Sequence, residues 1–318
     1  MATVRIISPS GTINPDFIDG ATARLQSWGY AVSEGRYARG EYGRFSGTDA
    51  ERLSDLHEAL NDPSVDVILC SRGGYGLQRI IDKIGKCPNE PMTKCLIGFS
   101  DITALHQLFA KQPLAADGLR PATIHGLMCK HIASLPEDST ALQLFRRALA
   151  GETLSYDFPA HPLNRQGEAQ GTLIGGNLSV LYGLQGTPYS LQAVLDAHPE
   201  GCILFIEDIA ERHYHIDRMM QNLRMSGVLA RIKGLVVGQF SDCEPDPLMM
   251  SDSEAIQQQS GLTSNSEAVY STILEAAAEY AYPILFDFPA GHVDDNRPLR
   301  LNAPASLSVS EKASALTC

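Results

Sequence analysis

The stretch GFSDIT, residues 98–103, sets Ser100 where a short apolar run, CLIGF, gives way to a helical pattern, DITALHQLFAKQ. A serine at such a bend has two uses. Its hydroxyl accepts a bond from a backbone N–H and caps the helix, or it projects from a strand–turn–helix as a nucleophile. The stretch keeps the first glycine of a G-x-S-x-G elbow, Gly98, but has Ile102 where the second would stand. In the nucleophilic reading, the helix start behind Ser100 directs its amides, that of Asp101 first, at any oxyanion formed there. A second loop, SRGGYGLQR (71–79), follows the apolar run VDVILC. Its paired glycines let a backbone approach a ligand closely, or simply make a tight turn. It is not a dinucleotide fingerprint: read from Gly74, the third glycine position of G-x-G-x-x-G falls on Arg79, and no P-loop sequence occurs.

A serine nucleophile needs a base, and the base needs an orienting acid. His292, in FDFPAGHVDDN, follows a short apolar strand and an Ala-Gly pair, which places it in a loop at a strand end. Glu207 closes the apolar run ILFI, so it is better anchored than Glu211 in the polar stretch beyond. Asp208, if the strand persists that far, points to the opposite face. The chain order Ser…Glu…His is that of α/β-hydrolases. His213 and His215, with Asp217, offer a competing metal reading, because i, i+2 spacing suits one face of a strand. No convincing third ligand and no H-E-x-x-H helix accompany them, and neither a metal nor a cofactor is expected.

The elements that must hold these residues read as an alternation. TVRIIS, YAVSEG, VDVILCS and CLIGF are strand patterns, separated by the helical patterns NPDFIDGATARLQSWG, GTDAERLSDLHEALND (capped by Thr48) and YGLQRIIDKI. Such alternation predicts an α/β fold with a doubly wound parallel sheet, whose ligands bind beyond the carboxyl ends of the strands. The loops Ser71–Gly76 and Gly98–Asp101 lie at those ends. The expected N-terminal domain spans 1–150, a Gly- and Pro-rich linker 151–170, and a second domain 171–318, with strands GCILFIED, IKGLVVGQF and ASLSVS and helices near 178–184 and 216–226. The polar segment 241–267 reads as a long surface loop.

Composition excludes several classes of function. With 44% hydrophobic and 19% charged residues the chain is globular, and its net charge of −12 argues against a general nucleic-acid binder, which needs a basic face. No apolar run reaches the length of a membrane span. The start, MATVRIISPSG, lacks the apolar core of a signal peptide, so a cytoplasmic location is expected. The seven cysteines are widely spaced with no C-x-x-C, the pattern of buried reduced thiols. The sequence does not give the oligomeric state; a homodimer is one assembly open to it.

The motifs ISPSG (7–11), RFSGTDAERLSDL (44–56), RGGYG (72–76), GFSDIT (98–103), GTLIGGNL (171–178), LFIEDIAERHYHIDRM (204–219) and FDFPAGH (286–292) stand in one order. In this the chain resembles the LD-carboxypeptidases, a family of serine peptidases. The resemblance implies an α/β N-terminal domain with a smaller β-rich C-terminal one. It implies Ser100 as nucleophile, His292 as general base and Glu207 as its orienting partner. The oxyanion hole would be the amide of Asp101 with that of Gly74 (Gly73 being the alternative). The implied reaction is cleavage of the L,D bond to the terminal D-alanine of a murein tetrapeptide; the microcin C immunity peptidases use the same triad on peptide–nucleotide conjugates. By position and resemblance, Arg72 and the GGN amides, those of Gly176 and Asn177 among them, are candidates to bind the substrate carboxylate. The non-enzymatic alternative is a small-ligand-binding α/β module in which Ser100 is only a cap.

Overall fold

The apolar runs of the first half form parallel strands β1 (Thr3–Ile7), β2 (Ala31–Glu34), β3 (Val67–Cys70), β4 (Cys95–Gly98) and β5 (Thr123–His125). The structure, a computed structural model, describes residues 1–85, 94–112, 121, 123–245 and 265–318. Beyond residue 150 come β6 (Ser155–Pro159), β7 (Gly167–Asn177), β8 (Cys202–Ile209), β9 (Gly234–Ser241), β10 (Ile284–Leu285), β11 (Leu299–Leu301), β12 (Pro304–Val309) and β13 (Ala313–Thr317). Two sheets result, ordered β11-β5-β4-β3-β1-β2 and β10-β9-β8-β7-β12-β13-β6. The second is mixed: β10, β9, β8 and β7 run parallel, and β7, β12, β13 and β6 pair antiparallel. The stretch 151–170 therefore carries strand β6 and the start of β7, and β11 returns from the far end of the chain to pair antiparallel with β5.

Local signals set the helix starts. Asn14 accepts from the Asp16 N–H at the head of α1 (Pro15–Ser27), with Pro15 in the first turn. Thr48 and Glu51 form a reciprocal capping box on α2 (Asp49–Asn61), a device worth about 1 kcal/mol. The pattern YGLQRIIDKI folds differently from the expected helix. It makes two single 3-10 turns, Leu77–Arg79 and Ile81–Lys83, because Ile80 between them, at φ −126°, leaves helical dihedrals. Its period is still honoured, since Leu77, Ile80, Ile81 and Ile84 are all buried.

Strand β3 is buried on both faces: Val67 and Leu69 join one apolar cluster, Ile68 and Cys70 another. The first of these clusters continues into the second sheet through Phe205, Val236 and Leu307, so the two sheets share a core. Helix α3 (Thr103–Ala110) is buried along all eight residues, its polar Thr103, His106 and Gln107 included. In the first sheet the winding reverses between β1 and β3, the place where such sheets open a crevice at their carboxyl ends. The loops leaving β1 and β3 meet there, with the Gly11 N–H donating to the Gly73 carbonyl at 3.0 Å.

Six cysteines lie among the described residues, all but Cys95 buried, and Cys87 lies outside them. Among the described residues no helix is long and apolar enough to cross a membrane. Of the polar segment 241–267, residues 246–264 fall outside the description, and helix Asn265–Ala276 begins at its end.

Candidate active site

Ser100 leaves β4 in a left-handed conformation, φ +64°, which costs a non-glycine residue about 1–3 kcal/mol. It opens the short turn Ser100–Ile102 that leads into α3, and neither helix start receives a side-chain cap. Its hydroxyl therefore caps neither helix start. Close packing holds the bend. A Cβ on Gly98 would sit 2.8 Å from Ile102 Cγ1, so the strand must end in glycine for the turn to fold back over it. The N–H of Asp101 has no acceptor among the described residues.

The loop after β3 presses on this elbow. A Cβ on Gly73 would meet Ser100 Cβ at 2.8 Å and Ser100 Oγ at 3.1 Å, so only glycine allows the approach. The Gly73 carbonyl is drawn to Gly11, and across a trans peptide the Gly74 N–H points the opposite way. That N–H also has no acceptor among the described residues.

His292 arrives from the second sheet. Its Nδ1 donates to Glu207 Oε2 at 2.9 Å, and the carboxylate is fully buried within β8, which runs two residues past the expected end at Glu207. That bond leaves Nε2 as the free nitrogen, the tautomer a general base needs. The imidazole packs edge-on against Phe99, the residue before Ser100, with ring centroids 5.0 Å apart. Burial pulls the imidazole pKa down, but the Glu207 hydrogen bond and charge, with the charge of Asp208, outweigh it and hold the pKa above its ordinary value. The loop of His292 is pinned from β9, where the Gln239 N–H meets the Ala290 carbonyl at 2.9 Å and Ser241 Oγ donates to the His292 carbonyl at 3.1 Å. Asn296, fully buried, accepts from the Gly291 N–H at 3.0 Å. Gly291, at φ +133°, would place a Cβ 3.0 Å from Glu207 Oε2.

The neighbouring carboxylates are spent elsewhere. Asp208 accepts from Asn177 Nδ2 and the Ser179 N–H, both at 2.8 Å, and burial beside Glu207 raises its pKa to about 7. Glu211 pairs with His215 Nδ1 at 2.5 Å. His213 and His215 stand on the first turn of helix His213–Met225 rather than on a strand, where i, i+2 residues do not share a face. Among the described residues no group of three or more metal-ligating side chains converges.

Arg72 is exposed, its Nη1 bonded to the Thr12 carbonyl at 2.7 Å, beside the same loop. Gly176 and Asn177 face inward. Asn177 Oδ1 caps helix Leu178–Gly183, and its N–H donates to Thr103 Oγ1 at 2.9 Å. A Cβ on Gly176 would lie 2.4 Å from that same hydroxyl. Both residues thus brace helix α3. Phe99, Ser241 and Asn296 escaped sequence reasoning, because each acts on a partner far along the chain and belongs to no local pattern.

A model of the LD-carboxypeptidase N-terminal domain matches residues 4–117, and one of the LD-carboxypeptidase C-terminal domain matches 170–307. A probable murein peptide carboxypeptidase of Bacillus subtilis is 32% identical over 317 residues, covering 99% of this chain and 91% of that protein. The murein tetrapeptide carboxypeptidase of Pseudomonas aeruginosa is 28% identical, over 92% of this chain and 89% of its own. Among solved structures, muramoyltetrapeptide carboxypeptidase from Oxalobacter formigenes superposes with a TM-score of 0.78 at 27% identity, covering 99% of this chain and 98% of that one. The microcin C7 self immunity protein MccF, in complex with aspartyl sulfamoyl adenosine, shares the fold, with a TM-score of 0.72 at 19% identity over 100% of this chain and 96% of its own.

Proposed function

The chain belongs to the LD-carboxypeptidase family of serine-type carboxypeptidases, and from that premise we propose that it hydrolyses the L,D peptide bond to the terminal D-alanine of murein tetrapeptides through an acyl-enzyme on Ser100. One observation carries the reading: a fully buried Glu207 holds His292 by Nδ1 at 2.9 Å, and His292 packs on the residue preceding a serine in a strained elbow. His292 Nε2 takes the proton of Ser100 as the oxygen attacks the scissile carbonyl. The amides of Asp101 and Gly74 receive the oxyanion, each donor being worth about 3 kcal/mol of barrier. His292 then protonates the departing D-alanine amine, and water resolves the acyl-enzyme by the same route. Arg72 supplies the charge for the substrate's terminal carboxylate, a role a guanidinium fills well.

The test is mass spectrometry of products from a purified disaccharide tetrapeptide. D-alanine release by the wild type and none by a folded Ser100→Ala variant is the expected outcome. The fold shared with MccF favours one alternative, a peptidase for peptide–nucleotide conjugates. Cleavage of an aminoacyl sulfamoyl nucleoside without D-alanine release would put that reading first.

A further inference from the structure

Between Gly73, which lies against Ser100, and the turn Leu77–Arg79, the loop passes two residues of positive φ, Gly74 at +104° and Gly76 at +137°. Glycines of this kind do not fix their own path. The path is fixed at the Gly76–Leu77 peptide, which is gripped at both poles. Its carbonyl accepts from Arg52 Nη1 at 3.1 Å, and its N–H donates to Asp101 Oδ2 at 2.9 Å. The same two side chains hold the loop after β1. Arg52 Nη1 donates to the Pro9 carbonyl at 2.5 Å, and Asp101 Oδ2 accepts from Ser10 Oγ at 2.7 Å. Arg52 is 0% exposed and Asp101 2%.

Burying a cation and an anion is a poor route to stability, since apolar side chains of similar volume often do as well. What this pair provides is register: two loops, from β1 and β3, are locked to the elbow whose own residue is Asp101. We infer that the Arg52 and Asp101 side chains are positioning residues that set the Gly74 amide against Ser100. Asp101 then serves twice, its backbone as one oxyanion donor and its carboxylate as the lock on the loop bearing the other. The inference rests on the reading of Ser100 as nucleophile with the Asp101 and Gly74 amides as its oxyanion hole.

The test compares the wild type with Asp101→Ala, Asp101→Asn and Ser10→Ala by two readouts. One is kcat and KM for D-alanine release from the disaccharide tetrapeptide. The other, independent of natural substrate, is the rate at which a fluorophosphonate labels Ser100. There Ser100 Oγ bonds to phosphorus, fluoride departs, the serine proton passes to His292, and the phosphoryl oxygen occupies the oxyanion position. A misplacement near 1 Å costs about 100-fold, so Asp101→Ala should lose about that factor in kcat and in labelling rate, with KM little changed. Asp101→Asn, whose carboxamide oxygen can accept both bonds, should stay within a few fold of wild type. Ser10→Ala, which removes one bond, should fall between them. If Asp101→Ala does not fold, Ser10→Ala decides alone: slowed labelling at unchanged KM supports the inference, and wild-type labelling overturns it. Folded Asp101→Ala that labels and turns over like wild type also overturns it, as does a change confined to KM. Failure of the underlying reading looks different, because wild-type protein would then escape labelling or Ser100→Ala would keep its activity.

Discussion

Ser100 pays for its conformation in a way a helix cap does not: φ +64° forces its Cβ into a crowded left-handed bend, and its hydroxyl caps neither helix start. Replacing it by alanine or by glycine removes the hydroxyl equally, so their difference isolates the backbone. Ser100→Gly should be more stable than Ser100→Ala by about 1 kcal/mol in thermal unfolding, with both inactive. Equal stability would mean the bend relaxes and is not strained. As the proposed base His292 works only when neutral, so activity should be present above its pKa and lost as pH falls through it. Glu207 outweighs burial and raises that pKa, so the acid limb of kcat/KM should lie above the range of an ordinary histidine. Glu207→Gln should move the limb to lower pH and cost at least about 100-fold in kcat, since an amide can stabilise the wrong tautomer. Asp208→Asn and Glu211→Gln, whose carboxylates face Asn177 and His215, should lose far less. A limb that does not move in Glu207→Gln would detach Glu207 from the base.

At the scale of elements, the site is made where loops touch, and glycine decides how closely. Gly73 admits the β3 loop to the elbow, while Gly151, at φ +83°, faces open space. Gly151→Ala should cost about 1 kcal/mol through its backbone and leave kinetics unchanged. Gly73→Ala, whose Cβ would stand 2.8 Å from Ser100 Cβ, should lower kcat about 100-fold while circular dichroism stays native. Normal turnover in Gly73→Ala would show that the approach of this loop is unimportant. Helix α3 transmits the same constraint to the second sheet, because Thr103 Oγ1 accepts the Asn177 N–H and a Cβ on Gly176 would strike that hydroxyl.

Across the whole molecule, Ser100 and His292, the proposed nucleophile and base, come from different sheets, and their alignment depends on how those sheets are joined. One apolar cluster runs through both, from Ile97 and Ile124 to Phe205 and Phe288, and β11 crosses back to close the edge of the first sheet on β5. A core shared in this way couples the halves. Calorimetry should therefore record a single cooperative unfolding transition, with the calorimetric and van't Hoff enthalpies in agreement. Two resolved transitions would mean that the halves unfold independently and that their interface is weak.

Much of this was legible in the chain itself. Strand alternation, the Thr48–Glu51 capping box, the apolar strand that carries Glu207 and the glycines around Ser100 are signals written within a few residues of one another, where sterics and local hydrogen bonding decide the outcome. The same is true of the bend at Ser100, though not of its purpose, since a cap and an elbow share a local pattern. Tertiary structure alone decided which partners the buried Glu207, Asp208 and Asp101 would meet. Glu207 and Asp208 are adjacent, yet one reaches His292 and the other Asn177, because a strand aims neighbouring side chains in different directions, whereas half-buried Glu211 meets His215 only four residues on. Arg52 and Asp101 meet on a single peptide from positions far apart in sequence. A buried ion finds its partner through long-range packing and the cost of leaving a charge unpaired, and that cost leaves no periodicity for a sequence to display.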